Sequence, residues 1–229
     1  MEFFRIALCF EYFPKLLRFF PKTLEIAVIS AGIGLLLGMV LGLIRLRRVL
    51  VLDTVVRVLV SFLRAAPPNV LLLAFFFAVP IFFRNLFLPI GVDLNRINAV
   101  FYVCAAYGVL NAAFFSELVR ASVLGVEKGQ TEAGLSIGMT QFQVFWRIIL
   151  PQAFRIALPE LGNILINIVK NTSLAYLVGV VDLMGAIQIV SVETFHPLEG
   201  YIDVAVIYLL VSLLLEFLFS KLQRRLAYV

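Results

Sequence analysis

The stretch from Glu160 to Lys170 carries the densest set of side chains able to do chemistry. Glu160, Asn163, Asn167 and Lys170 recur at spacings of three, four and three, which puts them on one stripe of a helix. A carboxylate, two amides and an ammonium in a row do not make or break bonds by themselves. They can exchange hydrogen bonds with a polar solute, whose charged groups must find protein partners when they leave water. The same amides can also bond neighbouring helices, at about 0.6 kcal/mol per bond. Catalytic chemistry has little to build with. The one histidine, His196, stands in the loop "SVETFHPLEG" beside a proline and reads as a solvated loop residue. Glu193 and Glu199 share that loop and read as a weak contact for another protein. Cys9 and Cys104 lack metal-ligand spacing and read as small buried hydrophobes. No nucleophile, base or metal set converges, so no catalytic residue and no metal site is expected.

The elements that must hold this stripe are those of a membrane protein. Of the 229 residues, 62% are hydrophobic and only 14% charged, and 22 are phenylalanine, far from soluble composition. Apolar runs of about 20 residues can cross a hydrocarbon core. About five such runs occur, near 23–46, 66–83, 97–118, 153–169 and 201–219, the second preceded by the Arg-punctuated lead-in "VLDTVVRVLVSFLR". The fold class expected is therefore all-α and integral to the membrane, a single transmembrane domain over residues 1–229. An ionisable group in lipid costs at least about 2.5 to 3.5 kcal/mol, so each should face protein or water.

Residues 1–22 are interrupted by Glu2, Arg5 and Glu11, and no small-residue cleavage site follows, so this stretch is expected to stay in the mature protein. Glu11, Lys15, Arg18 and Lys22 gather on one face opposite Phe10, Leu16, Leu17 and Phe20, the pattern of an interfacial helix, with Pro14 as its candidate break. An odd number of spans puts the termini on opposite sides. With the N-terminus outside, most of the 19 Lys and Arg fall on the cytoplasmic side, including Arg45, Arg47, Arg48, Arg57, Arg147 and Arg224, as the positive-inside rule requires.

That orientation makes 121–151 a cytoplasmic connection too long for a simple turn. Two short helices are expected in it, separated at Gly138, which can turn sharply. Thr140 is placed to cap the second, and Pro151 sits where a new helix can begin. Phe142, Phe145 and Trp146 call for a surface to rest on, either another protein or the chain's own inner face.

Within this connection, Glu132-Ala133, Gly138, Ile148 and Leu150-Pro151 resemble the EAA motif of permease subunits of bacterial ABC importers, with Gly134 where the motif usually has a second alanine. "FPKTLEIAVISAGIGLLLGMVLGLIRL", "FLRAAPPNVLLLAFFFAVP", "SELVRASVLGVEKGQTEAG" and "VKNTSLAYLVGVVDLM" resemble further blocks of the polar amino acid branch. The resemblance implies the five-span type I ABC importer fold with an outside N-terminus, placed in the bacterial cytoplasmic (inner) membrane. It also implies a second permease subunit, two ATPase subunits and an extracytoplasmic amino-acid-binding protein, with lipid around the chain and no nucleic acid. The stretch with Gly129, Gln130, Glu132, Ala133, Gly138, Leu150 and Pro151 would then be a coupling helix seated on the ATPase. No G-x-x-x-x-G-K-[ST] loop occurs, so this chain holds no cofactor of its own, and ATP and Mg belong to the partner.

By the same resemblance the substrate path would involve Arg64 and Pro67, Glu117, the stripe of Glu160, Asn163, Asn167 and Lys170, and the block Asn171, Thr172 and Ser173. Asn171 stands where the family usually has Asp, and Leu71 where it often has Gln. A helix-ending turn is the plain alternative for the 171–173 block. Glu117 and Arg120 are read either as a local ion pair or as a gate contact to another protomer. The cargo expected is a polar amino acid, with neutral or cystine-like ones favoured. The rival reading is an ion-gradient-driven secondary transporter, which the lack of paired halves disfavours.

Overall fold

The computed structural model describes residues 4–47, 50–91 and 93–227, so Glu2 and Arg48 lie outside the described residues. Helices α1 (Ile6–Leu17), α2 (Phe20–Arg47), α3 (Leu50–Ala65), α4 (Pro68–Phe87) and α5 (Ala99–Leu124) form the first half. They are followed by α6 (Lys128–Ser136), α7 (Gln141–Val144), α8 (Leu150–Asn171), α9 (Ala186–Val190) and α10 (Pro197–Ala227). Each expected apolar run lies on one of α2, α4, α5, α8 and α10, and the lead-in forms α3.

The helices α2, α5 and α10 are each long and apolar enough to cross a membrane, and α3 and α4 together, bent by 113° where they meet, have the length and composition of a fourth span. The bend follows from Pro67-Pro68. Pro67 is extended at φ −61°, ψ 131°, and neither ring allows the helix hydrogen bonds to continue. Helix α8 is not among the apolar spans; Gln152, Arg155, Glu160, Asn163 and Asn167 make it more polar than the others.

Helix α5 lies at the centre, packed against α2, α3, α4 and α8. Its start is capped by Asn98, whose side chain accepts the Val100 N–H at 2.9 Å. The approach of α2 to α5 is set by small residues four apart: Ser30, Gly34, Gly38 and Gly42 are all buried. In lipid, where tails are as apolar as leucine, close backbone contact of this kind drives helix pairing. A Cβ on Gly38 would collide with Phe115 and lie 2.9 Å from the Ala112 carbonyl oxygen.

Helix α1 continues through Pro14, and the break falls instead at Arg18–Phe19. Pro14 is exposed, so its missing N–H strands no buried carbonyl, and Tyr12 and Leu16, fully buried against α9 and α10, hold the helix together. Glu11, Lys15 and Arg18 lie on its exposed side, with Lys15 Nζ 2.6 Å from Glu11 Oε1. Phe10 also remains 77% exposed.

The glycine stripe gives a paired expectation. Gly38→Ala should lower the stability of the detergent-solubilised protein by about 1–3 kcal/mol, read as its unfolding midpoint. Gly32→Ala on the same helix, where a Cβ meets nothing within 4 Å, should leave that midpoint unchanged or raised. Equal effects at both positions would discard close α2–α5 packing as the governing contact.

Candidate functional site: an exposed elbow and a polar cleft

The elbow begins where α5 ends. Helix α6 runs from Lys128 to Ser136, the chain reverses at Gly138 with φ +85°, and α7 starts at Gln141. Only glycine takes that φ without strain. Thr140 Oγ1 accepts the Gln143 N–H at 3.3 Å while Gln143 Oε1 accepts the Thr140 N–H at 2.9 Å, a reciprocal capping box. The angle between the two short helices is therefore built by local chemistry.

Pro151 falls in the first turn of α8, as expected, but α8 is not separated from α7 by a loop. Helix α7 passes through a π turn at Phe145–Ile149 directly into α8, and the Leu150 N–H reaches back to the Phe145 carbonyl. Pro151 has no N–H for the carbonyl four residues back and its ring crowds it, and a widened turn relieves both problems. Gly134, the departure from the motif, is the buried residue of α6. A Cβ there would lie 2.8 Å from Val144 Cγ2 and 2.9 Å from Ile148 Cδ1, so the missing methyl lets α6 seat on the π turn. The pair is thus held by the chain itself through Val126, Val144, Ile149 and Ala153.

What the elbow leaves uncovered is a mixed surface. Gly129, Gln130, Glu132, Ala133 and Gly138 are exposed. Beside them Ile137 is 78%, Phe142 71% and Trp146 53% exposed, the last two with ring centroids 6.0 Å apart. Leu150 is half-buried and Pro151 exposed at the rear of the elbow. Gln152 Nε2 donates to Gln130 Oε1 at 3.3 Å and ties α6 to α8.

The second feature is a cleft of about 290 Å³ between α3, α5 and α8. Arg64, Glu117 and Glu160, far apart in sequence, all line it, together with Phe114, Ser122 and Ile156. The Arg64 guanidinium sits over the Phe114 ring, 5.6 Å from its centroid. Glu117 is held at the centre of an ion cluster: Arg45 Nη1 of α2 donates to it at 2.5 Å, and Arg120 forks onto it from the next turn. The local ion pair expected from the sequence is present, and Arg45 is the partner that spacing could not show. Pro67 is exposed at the α3–α4 bend.

From the cleft, Asn163, Asn167 and Lys170 continue along the exposed face of α8, and Asn163 Nδ2 donates to Glu160 Oε2 at 3.3 Å. The opposite face, with Leu158, Gly162 and Ile168, is buried. The block that follows divides. Asn171 and Ser173 are half-buried and Ser173 Oγ donates to the Lys170 carbonyl at 2.8 Å. Thr172 is fully buried, donates to the Val169 carbonyl at 2.7 Å and lies 3.3 Å from the Tyr208 hydroxyl.

That hydroxyl also donates to Asp182 Oδ2 at 3.4 Å, and Asp182 Oδ1 accepts the N–H groups of Met184 and Gly185 at 3.1 and 3.0 Å. Burial pushes the Asp182 carboxyl above its ordinary value, against the pull of those donors. Thr23 Oγ1 accepts the Leu183 N–H at 3.1 Å. This network joins α2, α8 and α10, and sequence reasoning missed it. The one available signal was Asp182 itself, an acid in the apolar run "LAYLVGVVDLM".

Two loop expectations are corrected. His196 is not a free loop residue: its Nδ1 lies 3.2 Å from Glu199 Oε1, and its side chain is 21% exposed. Glu199 itself is fully buried at the start of α10 and accepts the Arg5 N–H at 2.8 Å, so it cannot meet a protein from outside.

Comparison with known proteins gives consistent results. Residues 34–228 match the family described as "Binding-protein-dependent transport system inner membrane component". The chain is 37% identical over 215 residues to the L-cystine transport system permease protein TcyL of Bacillus subtilis (strain 168), covering 94% of this chain and 88% of that one. It is 32% identical over 212 residues to the glutamine transport system permease protein GlnP of Escherichia coli (strain K12), covering 93% of each. Among solved structures, a chain from a crystal structure of an amino acid ABC transporter with histidines superposes with a TM-score of 0.84 at 26% identity, over 97% of this chain and 99% of that one. The MetNI methionine ABC transporter in an inward-facing conformation shares the fold, with a TM-score of 0.73 at 22% identity, over 92% of this chain and 95% of that one. With its helices, its elbow and a match over residues 34–228, the chain belongs to the family of binding-protein-dependent transport system inner membrane components, as a multi-pass membrane permease.

Proposed function

We propose that this permease moves a polar amino acid, neutral or cystine-like, into the cytoplasm, driven by ATP hydrolysis on separate ATPase subunits. The observation that carries the reading is the exposed elbow. It is rigid by construction, with Gly138 in the left-handed region, a capping box and a π turn. Its Ile137, Phe142 and Trp146 face outward without cover in this chain. A stiff connection with an apolar edge and a wet flank suits a soluble motor that pushes on it. Relatives named for L-cystine and glutamine transport support the class of cargo.

In this reading the N-terminus lies outside, which puts the elbow and the Arg45–Glu117–Arg120 cluster at the inner face. A binding protein delivers the amino acid from outside to two permeases, this chain and a second copy or a related one. Arg64 offers a forked donor to a carboxylate, and Glu160 an acceptor to an ammonium. Asn163, Asn167 and Lys170 extend the polar face along α8. When the motor moves the elbow, α8 moves with it, because Pro151 joins the two without a hinge loop. No bond is made or broken in this chain.

Two expectations follow, both measured in proteoliposomes with the cognate ATPase and binding protein. Glu132→Lys and Gly138→Arg should insert normally and retain ATP hydrolysis while amino acid uptake falls at least about tenfold. Uptake at the ordinary rate in both variants, or uptake that persists with vanadate, would remove the mechanical role of the elbow. Glu160→Gln should reduce uptake about tenfold with ATP hydrolysis kept, the scale of one charge-assisted contact. An unchanged rate would exclude Glu160 from the path.

A further inference from the structure

At the end of the molecule away from the elbow, α1 and α10 line an open groove of about 480 Å³. Its walls are apolar, made by Phe4, Phe10, Phe13, Pro14 and Ile202, with the Cys9 thiol beside them. One wall residue is an acid. Asp203 is 5% exposed, and its Oδ2 has no hydrogen-bond partner. One helical turn earlier, Glu199 is fully buried and its Oε2 is likewise without a partner, although its Oε1 takes the Arg5 N–H and His196 Nδ1. Among the described residues, those that line this groove include no Lys or Arg.

Buried carboxylate oxygens that lack a donor are costly, and natural proteins supply one. Here Asp203 lines an oily groove whose rim, Phe4, Ile6 and Phe10, is exposed, and Glu199 stands one turn before it on the same face of α10. The chemistry that satisfies this site is a small cation with hydrogen-bond donors, attached to an apolar body. We infer that the α1–α10 groove binds a membrane lipid bearing a primary ammonium headgroup, with the ammonium donating to Asp203 and the apolar portion lying against Phe10 and Phe13. The site is separate from the cleft of Arg64, Glu117 and Glu160 and does not depend on which amino acid is carried.

The test uses the full-length chain purified with the subunits that accompany it. The protein is equilibrated with mixed micelles holding equal amounts of phosphatidylethanolamine, phosphatidylcholine and phosphatidylglycerol, and the lipid retained is counted by native mass spectrometry. Phosphatidylethanolamine should be retained about tenfold over the other two, the scale of one charge-assisted hydrogen bond. The quaternary ammonium of phosphatidylcholine has no N–H to donate, so it separates donation from charge alone. Asp203→Asn should abolish the preference. Should that variant fail to fold, Cys9→Trp, which fills the groove and leaves the carboxylate, decides in its place: a lost preference supports the site and a kept one overturns it. Equal retention of the three lipids by the native protein, or an undiminished preference in Asp203→Asn, would also overturn it. Amino acid uptake is not the readout, so failure here leaves the transport reading standing.

Discussion

The close approach of α2 to α5 is the constraint on which the other features depend. Gly34, Gly38 and Gly42 present no Cβ to α5, so α2 packs closely on it, and α3, α4 and α8 also rest against α5. Only with the helices this near can Arg45 at the end of α2 reach Glu117 of α5 at 2.5 Å. That bond in turn fixes one wall of the cleft. A polar cluster at the end of an apolar span is tolerable because its members satisfy one another, leaving little charge to be paid for by lipid.

The elbow shows how a weak local preference becomes a rigid part. A helix of nine residues such as α6 is marginal alone. It is stabilised by seating Gly134 on the π turn, by the capping box at Thr140 and by a reversal that only glycine takes readily. The motif position that departs from alanine is the position of tightest contact, and the smaller residue fits where a methyl would collide. The π turn, continuous with α8, removes the hinge that a proline at 151 would otherwise suggest. Movement at the elbow is therefore movement of the polar face of α8.

The two ends of the molecule differ in how they treat polar groups. Near the elbow, charges are paired and partly open to water, as with Glu117 and its two arginines. At the α1–α10 end, carboxylates and hydroxyls are buried: Asp182 is answered by backbone N–H groups and Tyr208, whereas Asp203 keeps an unanswered oxygen. A buried polar network confers geometry on the α9 region, which has little apolar helix of its own.

Much of this was legible in the residues. The five helices that carry the apolar runs, the reversal at Gly138, the cap at Thr140, the kink at Pro67-Pro68 and the Glu117–Arg120 pair each follow from hydrophobic runs or backbone chemistry within a few positions. The polar stripe of α8 was legible as a face because a helix repeats every 3.6 residues. What only the tertiary structure decided involves partners distant in sequence: Arg45 on Glu117, Arg64 and Glu160 brought to one cleft, Arg5 on Glu199, and Thr23 on Leu183. It also decided that Pro14 leaves its helix whole, because Tyr12 and Leu16 are buried beneath it. Local spacing specifies which groups share a face, but which faces meet is set by packing, and a single sequence carries no record of that.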